Sequence, residues 1–309
     1  MTNAGIWEQN TPYSKLMITV GAVLVFAITL GTIATVVSPL FFNVSLDELK
    51  TLNPTSANPD YLSALKLIQT LSSIGTFVIP PLVLAFLFSQ RPSEYLSLNK
   101  GISAADVLLV LTAMFASVPL INYLVELNGK MSLPSFLDWL EEWMQKNETL
   151  AAEVTEKFLD VNSVSQLLLN VFIVALIPAI GEELLFRGVV QKIFTELFKS
   201  PGAAILVTSI LFSALHFQFY GFLPRMLLGI LLGYMLVWSG SLWLPMVAHF
   251  INNAAGVILV YLYHTGSINI DPDKVGAEND SFSALVTGTL FLIAALWLLY
   301  KKHKQVRTE

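Results

Sequence analysis

The sequence predicts an all-α fold: a polytopic transmembrane helical bundle of about eight spans, with one amphipathic helix at the membrane interface. Of its 309 residues, 55% are hydrophobic and only 13% are charged, whereas a soluble domain carries about 25% charged residues. The mean hydropathy is +0.67. Long uncharged runs recur along the whole chain, and helices are the expected structure because each satisfies its own backbone hydrogen bonds in lipid.

The uncharged runs define the predicted spans, since a span needs about 20 apolar residues. They are 16–46, 67–90, 107–125, 161–181, 200–224, 226–270 and 281–300. The run 226–270 is long enough for two spans, with a turn at 238–241, which gives eight helices. Six or seven spans remain possible if one helix lies in the interface. The first run exceeds the apolar region of about 7–15 residues in a signal peptide, so we expect a retained span.

The longest polar segment, 126–160, predicts the amphipathic helix. Its Phe136, Trp139, Leu140 and Trp143 recur at helical spacing, while acidic side chains occupy another face. This pattern is typical of a helix that lies on the membrane surface. A solvated loop with some helix is the alternative.

We divide the chain into three regions. Residues 1–160 form an N-terminal membrane region with three spans and the outer amphipathic segment, 161–264 form the membrane core, and 265–309 hold an outer loop, the last span and a basic tail. The tail contains Lys301, Lys302, Lys304 and Arg307. Because positive charge favours the cytoplasmic side, we expect a multi-pass protein of the cell membrane with both termini in the cytoplasm.

Charge and cysteine content exclude several classes of function. The net charge of −5 does not suggest a nucleic-acid partner, and the lipid bilayer is the expected surrounding. The chain has no cysteine, which excludes disulfides, thiolate nucleophiles and cysteine metal ligands.

Two adjacent acids and an arginine stand where the span 161–181 should end, in the stretch from Gly181 to Arg187. Ionisable groups in a bilayer are costly, so they are functional candidates. Glu183 and Arg187 are four residues apart with the acid first, which favours an ion pair on a helix. Glu182 has no partner at such spacing and is therefore a candidate general base. Alternatively, both acids are interfacial and solvated.

His216 is a conspicuous imidazole in the uncharged run 200–224. If two helices meet at Pro201, Glu183 lies 18 residues before the turn and His216 lies 15 residues after it. Antiparallel helices rise equally per residue, so the carboxylates and the imidazole should face each other at similar depth and share a water molecule. Alternatively, a lone histidine is satisfied by a backbone carbonyl.

His249 and Asn253 are four residues apart and should share one helix face. Such donors could together stabilise an oxyanion, although polar contact between helices is the alternative. Straight spans would place His216 and His249 near opposite ends of their helices. Both can meet Glu182 only if some helices are tilted, shortened or broken.

Three motifs occur in order along the chain: Glu182-Glu183-x-x-x-Arg187, Phe212-x-x-x-His216 and His249-x-x-x-Asn253. Together they resemble the motifs of the CPBP family, which includes CAAX-type prenyl-protein endopeptidases of the Rce1 type and bacteriocin-processing or immunity proteins. The resemblance covers roughly 160–260, so that 161–264 would be the catalytic core.

This resemblance implies an intramembrane glutamate protease. By it, Glu182 and His216 would activate water, and His249 and Asn253 would stabilise the oxyanion. Glu183 and Arg187 would be supporting residues. The substrate would be a membrane-associated protein or peptide, and whether it is prenylated is left open.

Alternatives from other classes remain. In one, the chain is a non-proteolytic membrane scaffold or immunity protein that binds a partner through the same cavity. In another, it is a transporter that uses the acids as a proton relay. For the protease we expect no cofactor. A zinc site of Glu182, His216 and His249 is possible by residue type but disfavoured, since the chain has no His-Glu-x-x-His motif.

Overall fold

The structure, a computed structural model, describes residues 9–50, 53, 56–269 and 282–306. Within these residues every regular element is helical, which confirms the predicted all-α class. Most of the predicted outer loop (270–281) and Arg307 of the predicted basic tail lie outside the described residues. The division at 160 and 264 stays a prediction.

Fourteen α-helices make up the described part of the chain. They are α1 Pro12–Phe41, α2 Leu46–Leu49, α3 Tyr61–Ser73, α4 Ile79–Phe88, α5 Pro92–Tyr95, α6 Ala104–Gly129, α7 Asp138–Leu159, α8 Val164–Asn170, α9 Ile177–Glu182, α10 Gln191–Phe198, α11 Pro201–Ala214, α12 Phe222–Ser239, α13 Trp243–His264 and α14 Phe282–Val306. Wider, π-helical turns at Ile74–Val78, Val171–Leu176 and Glu183–Val190 join α3 to α4, α8 to α9 and α9 to α10.

Seven helical stretches in the described residues are long and apolar enough to cross a membrane, which makes this a multi-pass membrane protein. They are Pro12–Phe41, Tyr61–Phe88, Ala104–Gly129, Val164–Phe198, Phe219–Ser239, Trp243–His264 and Phe282–Gln305. The division of the run 226–270 into two helices is confirmed, and α13 follows α12 after a short turn in which Gly240 is left-handed (φ 66°).

The run 200–224 does not form the full span that the sequence predicts. Its helix α11 has 14 residues and is about 21 Å long, shorter than the hydrocarbon core of about 30 Å. The chain leaves the helix at Leu215, and α12 begins only at Phe222. The described residues therefore contain seven candidate spans and, in α11, one shorter apolar helix.

Contacts define two ends of the bundle. At one end, which we call the terminal face, Lys15 pairs with Glu196 at 3.0 Å and Lys302 pairs with Asp106 at 2.7 Å. Both described ends of the chain thus lie on one face. Which face meets the cytoplasm stays a prediction.

The amphipathic helix α7 lies at the opposite face. Its aromatic side chains Trp139 and Trp143 are exposed, as is Phe136 in the turn just before the helix, which is expected for a surface that meets lipid headgroups. Its carboxyl end is tied to the bundle by Lys66, whose Nζ donates to the Phe158 carbonyl at 3.2 Å and to Asn170 Oδ1 at 2.8 Å. The predicted helix is therefore present, and the loop alternative is wrong.

Small residues allow the central helices to approach closely. A methyl group at Gly229 would lie 2.9 Å from Ser209 Cβ, and one at Gly233 would lie 2.9 Å from Ile205 Cγ2. The GxxxG of α12 therefore packs against α11, as small-residue motifs do in membrane helices. Gly181, beside the candidate base, is held as tightly: a methyl group there would lie 2.8 Å from Phe77 Cβ and 3.3 Å from the Phe77 carbonyl carbon.

We expect Gly181→Ala to destabilise the protein by about 1–3 kcal/mol, because the added methyl overpacks against neighbouring backbone. It should also lower activity, since the added methyl group would displace the backbone immediately before Glu182. Gly256→Ala is the matched control, because a methyl group at Gly256 would have no neighbour within 4 Å. Unfolding of both variants in the same detergent checks the prediction, and equal stabilities would contradict it.

Candidate active site

Glu182, His216 and His249 meet inside the bundle. Glu182 Oε2 lies 3.9 Å from His216 Nε2 and 3.8 Å from His249 Nε2. Both separations exceed a direct hydrogen bond but suit a bridging water molecule. Glu182 Oε2 is buried and accepts no hydrogen bond from any described residue. Three of the four predicted catalytic residues are thus brought together around one unpaired carboxylate oxygen.

The hairpin of α10 and α11 sets the relative depth of Glu182 and His216. The turn between the two helices lies at Lys199 and Ser200, where Lys199 is left-handed (φ 53°) and the Ser200 hydroxyl accepts from Ala203 N. Glu182 is the last residue of α9, and His216 follows the carboxyl end of α11. Since both lie a similar number of residues from the turn, similar rises along antiparallel helices bring them to the same level.

Straight spans would not place His249 at the same depth as Glu182. The position at which α13 begins explains how the two residues meet. Leu242, the residue before α13, is buried in the bundle, and its N donates to the Ser97 carbonyl at 2.9 Å. A methyl group at Gly188 would lie 3.5 Å from Leu242 Cδ2, so Leu242 is level with Gly188. From this level, α13 runs to His249, and the helix that contains Gly188 runs back over a similar distance to Glu182. His249 is therefore placed beside Glu182.

Glu183 orients His249 as well as pairing with Arg187. Arg187 Nη1 donates to Glu183 Oε1 at 2.7 Å, and both side chains are fully buried, so the predicted ion pair is present. His249 Nδ1 lies 2.9 Å from the same oxygen. A carboxylate next to an arginine is an acceptor, so Nδ1 carries the proton and Nε2 faces Glu182. Sequence reasoning missed this contact because it joins residues 66 positions apart.

His216 is oriented in the same way by the last turn of α11, which precedes it. Its Nδ1 lies 2.7 Å from the Phe212 carbonyl oxygen, which can only accept, so Nδ1 donates and Nε2 faces Glu182. Nδ1 of His216 is therefore satisfied by a backbone carbonyl, as the alternative interpretation predicted, while Nε2 takes part in the site.

Phe212 is the apolar centre of the site. The Arg187 guanidinium lies over its ring at 4.6 Å from the centroid, and the His216 and His249 rings contact it edge-on at 4.9 and 6.0 Å. A cation above an aromatic face is stabilised by the ring quadrupole. The four-residue spacing from Phe212 to His216 was the sequence signal for this shared helix face.

Asn253 lies one turn beyond His249 on the same helix, where its Nδ2 donates to the Val174 carbonyl at 3.4 Å. This is a long hydrogen bond. Asn252 donates to Asn253 Oδ1 at 3.2 Å. Asn253 thus borders the three-residue cluster, and its contacts are to α13 and to the wide turn before α9.

The site is accessible mainly at His216. The side chain of His216 is 29% exposed, whereas those of Glu182 and His249 are 11% and 4% exposed. The loop that follows His216 is held by Arg225. Its Nη1 donates to the Gln218 carbonyl at 2.8 Å, and its Nη2 contacts Gln218 Oε1.

The zinc alternative gains no support from this geometry. Within the described residues, no group of three or more His, Cys, Asp or Glu side chains is arranged to hold a metal ion. The polar groups that the cluster presents are instead one unpaired carboxylate oxygen and two imidazole nitrogens.

Comparison with known proteins finds similarity over the region that contains the site. Residues 164–255 match the family model described as type II CAAX prenyl endopeptidase Rce1-like. The chain is also 33% identical, over 120 residues, to the protein named "Uncharacterized protein YpbD" of Bacillus subtilis (strain 168); the match covers 38% of this chain and 59% of that relative. No solved structure matches the chain. Residues 164–255, which contain Glu182, His216, His249 and Asn253, are therefore similar to the Rce1-like, CAAX-type membrane endopeptidases.

Proposed function

We propose that this protein is an intramembrane endopeptidase that hydrolyses a peptide bond of a membrane-associated protein or peptide. The observation that carries the proposal is the arrangement of Glu182 Oε2 between the Nε2 atoms of two histidines, at 3.8 and 3.9 Å. The similarity of 164–255 to Rce1-like endopeptidases supports the same reaction class.

In the first step, a water molecule between Glu182 and His216 loses a proton and attacks the scissile carbonyl carbon. Glu182 is the general base, since its Oε2 has no donor among the described residues and a positioned carboxylate accelerates proton transfer by about 10²–10⁴-fold. His216 Nε2 accepts the second hydrogen of the water as a hydrogen bond, which orients the attacking oxygen.

The tetrahedral intermediate carries negative charge on the former carbonyl oxygen. His249 stabilises this oxyanion when its Nε2 is protonated, and the Glu183 carboxylate on Nδ1 stabilises the resulting imidazolium. Asn253 is the proposed second donor. Its long hydrogen bond to Val174 is weak, so the amide can turn towards the substrate at small cost.

In the last step the C–N bond breaks, and the proton held by Glu182 passes to the leaving amine. The products are a carboxylate and an amine, and one water molecule is consumed. No oxidant, reductant or nucleotide is needed, so we propose that the reaction proceeds without a cofactor.

We expect His216→Ala to lower peptide hydrolysis by about 10²-fold or more, because the attacking water loses its orienting group. The assay uses purified protein in liposomes with an internally quenched CAAX-type peptide, in a prenylated and a non-prenylated form, and mass spectrometry identifies the bond cleaved. Comparison of the two forms shows whether the prenyl group is required.

His264→Ala is the matched control, since His264 is exposed at the carboxyl end of α13 and takes no part in the cluster. Equal turnover by wild type and His216→Ala would contradict the proposal. Absence of hydrolysis by the wild type with both peptides would favour the alternative of a non-proteolytic binding or immunity protein.

A further inference from the structure

A cavity separates α7 from the loop that begins at His216. Its walls include Leu150, Ala151, Val154 and Thr155 of α7 on one side and His216 and Phe217 on the other, and its volume is about 300 Å³. This volume is at the lower end of the range of about 300–1,000 Å³ for small-molecule sites. It is sufficient for one large side chain with its backbone.

The cavity lies where the candidate active site is accessible. His216 is the most exposed of the three clustered residues, and it is the only one of them among the residues that line this cavity. A polypeptide that reaches Glu182 from this side must therefore pass between α7 and Phe217.

Phe217 has an unusual backbone conformation at this position. Its φ is 53°, a left-handed value that is strained for a bulky aromatic residue. The neighbouring hydrogen bonds of Arg225 to Gln218 and of Ser213 Oγ to the Phe222 carbonyl, at 2.7 Å, hold the loop in this shape. Such strain is typical of functional sites. Here it leaves the Phe217 ring 54% exposed at the cavity wall.

The chemistry of the lining defines the occupant. No Asp, Glu, Lys or Arg is among the lining residues, so the cavity offers no charge for an ionic headgroup. Leu150, Val154 and Phe217 supply apolar surface, and Asn147 and Thr155 supply a polar edge. This combination suits an aliphatic or aromatic side chain on a peptide backbone.

The α7 wall is packed lightly against the rest of the bundle. Of its 22 residues only Phe158, at the carboxyl end, is buried. In the middle of the helix, the polar contact to the His216 loop is from Tyr220 N to Glu148 Oε2, at 3.3 Å. A helix with few buried apolar contacts belongs to the less stable part of a structure, so α7 can shift to admit a substrate.

We propose that this cavity binds an apolar side chain of the substrate polypeptide next to the scissile bond, with Phe217 as the residue that determines specificity. The inference rests on the proposed function and names the part of the substrate that the site recognises. Phe217 would contact the substrate directly, and α7 would form the opposite, movable wall.

Filling the cavity is the first test. We expect Ala151→Trp to lower kcat/KM by about tenfold or more, mainly through KM, because the indole would take the place of the substrate side chain. Ala152→Trp adds the same group to the next residue, which is exposed and outside the cavity lining, and should stay within about twofold of wild type. Equal kinetics for the two variants would overturn the proposal while leaving hydrolysis itself intact.

The second test separates recognition from positioning. Two quenched peptides that differ only by Leu or Asp beside the cleaved bond are compared with wild type and Phe217→Ala. Wild type should prefer the Leu peptide by about tenfold or more, and Phe217→Ala should lose most of that preference. If Phe217 only positioned His216, the variant would lower kcat for both peptides equally and keep the preference, which would overturn its assignment.

Binding can be followed by the labelling of a single introduced thiol, because the chain has no cysteine of its own. In a Glu182→Gln background, the thiol of Ala151→Cys should react with a maleimide more slowly when the Leu peptide is present, by about tenfold at saturation. Ala152→Cys should not be protected. Protection by phosphatidylglycerol vesicles alone, with no further effect of peptide, would assign the cavity to lipid and overturn the proposal. If the peptide protects the thiol but the wild type does not hydrolyse either peptide, the cavity remains a peptide-binding site and the proposed protease function is rejected.

Discussion

Glu182→Gln should reduce peptide hydrolysis by about 10³-fold, within the range for loss of a general base, while the protein stays folded. Glutamine keeps the size of the side chain but cannot accept the proton of the attacking water. Since Glu182 Oε2 has no hydrogen-bond donor among the described residues, the substitution removes no direct hydrogen bond to this atom. The new amide can even donate to Nε2 of His216 or His249.

The measurement is single-turnover hydrolysis of the quenched peptide in liposomes, together with thermal unfolding in detergent. We expect activity to fall while the melting temperature is unchanged or higher. A melting temperature that falls together with activity would indicate a structural role for Glu182. Unchanged turnover would reject Glu182 as the base and with it the proposed mechanism.

Glu183→Ala should destabilise the protein by about 3–5 kcal/mol, because it leaves the Arg187 guanidinium buried without its counter-ion. Both side chains are fully buried, and Arg187 Nε already lacks a hydrogen-bond partner among the described residues. The double variant Glu183→Leu/Arg187→Met should regain most of the lost stability, since an apolar replacement of a buried pair is often neutral.

Activity measurements should separate the effect of charge burial on stability from the effect of Glu183 on the orientation of His249. The double variant should remain inactive although it is folded, because His249 Nδ1 loses the acceptor at 2.9 Å that directs Nε2 towards Glu182. Asp47→Ala, which breaks the exposed pair with Lys50, is the control and should change neither melting temperature nor turnover. Equal destabilisation by the single and the double variant would contradict the role of charge burial.

Much of the fold and part of the site could be predicted from local patterns. Uncharged runs located the helices because lipid requires continuous apolar stretches with internally paired backbones. The pair of Glu183 and Arg187 could be predicted because residues four apart face each other on a helix. The approach of His216 to Glu182 could be predicted from a short turn and equal helical rises.

Contacts between distant segments could not be predicted in this way. The short α11 looked like a full span, since hydropathy does not show where a helix unwinds. The position at which α13 begins depends on the hydrogen bond from the buried Leu242 N to the Ser97 carbonyl, a partner on a distant segment. The contact of Asn253 with Val174, rather than with Glu182, likewise follows from how α13 lies against the turn before α9.

The sequence by itself determined that this is a helical membrane protein with ionisable groups in its core, and which residue types those groups are. Local spacing and the cost of charge in lipid are sufficient for that. Only the tertiary structure decided that Glu183 serves both Arg187 and His249, that two imidazoles turn Nε2 towards Glu182, and that Phe217 stands at the accessible side. These features depend on packing and hydrogen bonds between segments far apart in the chain, which no local pattern encodes.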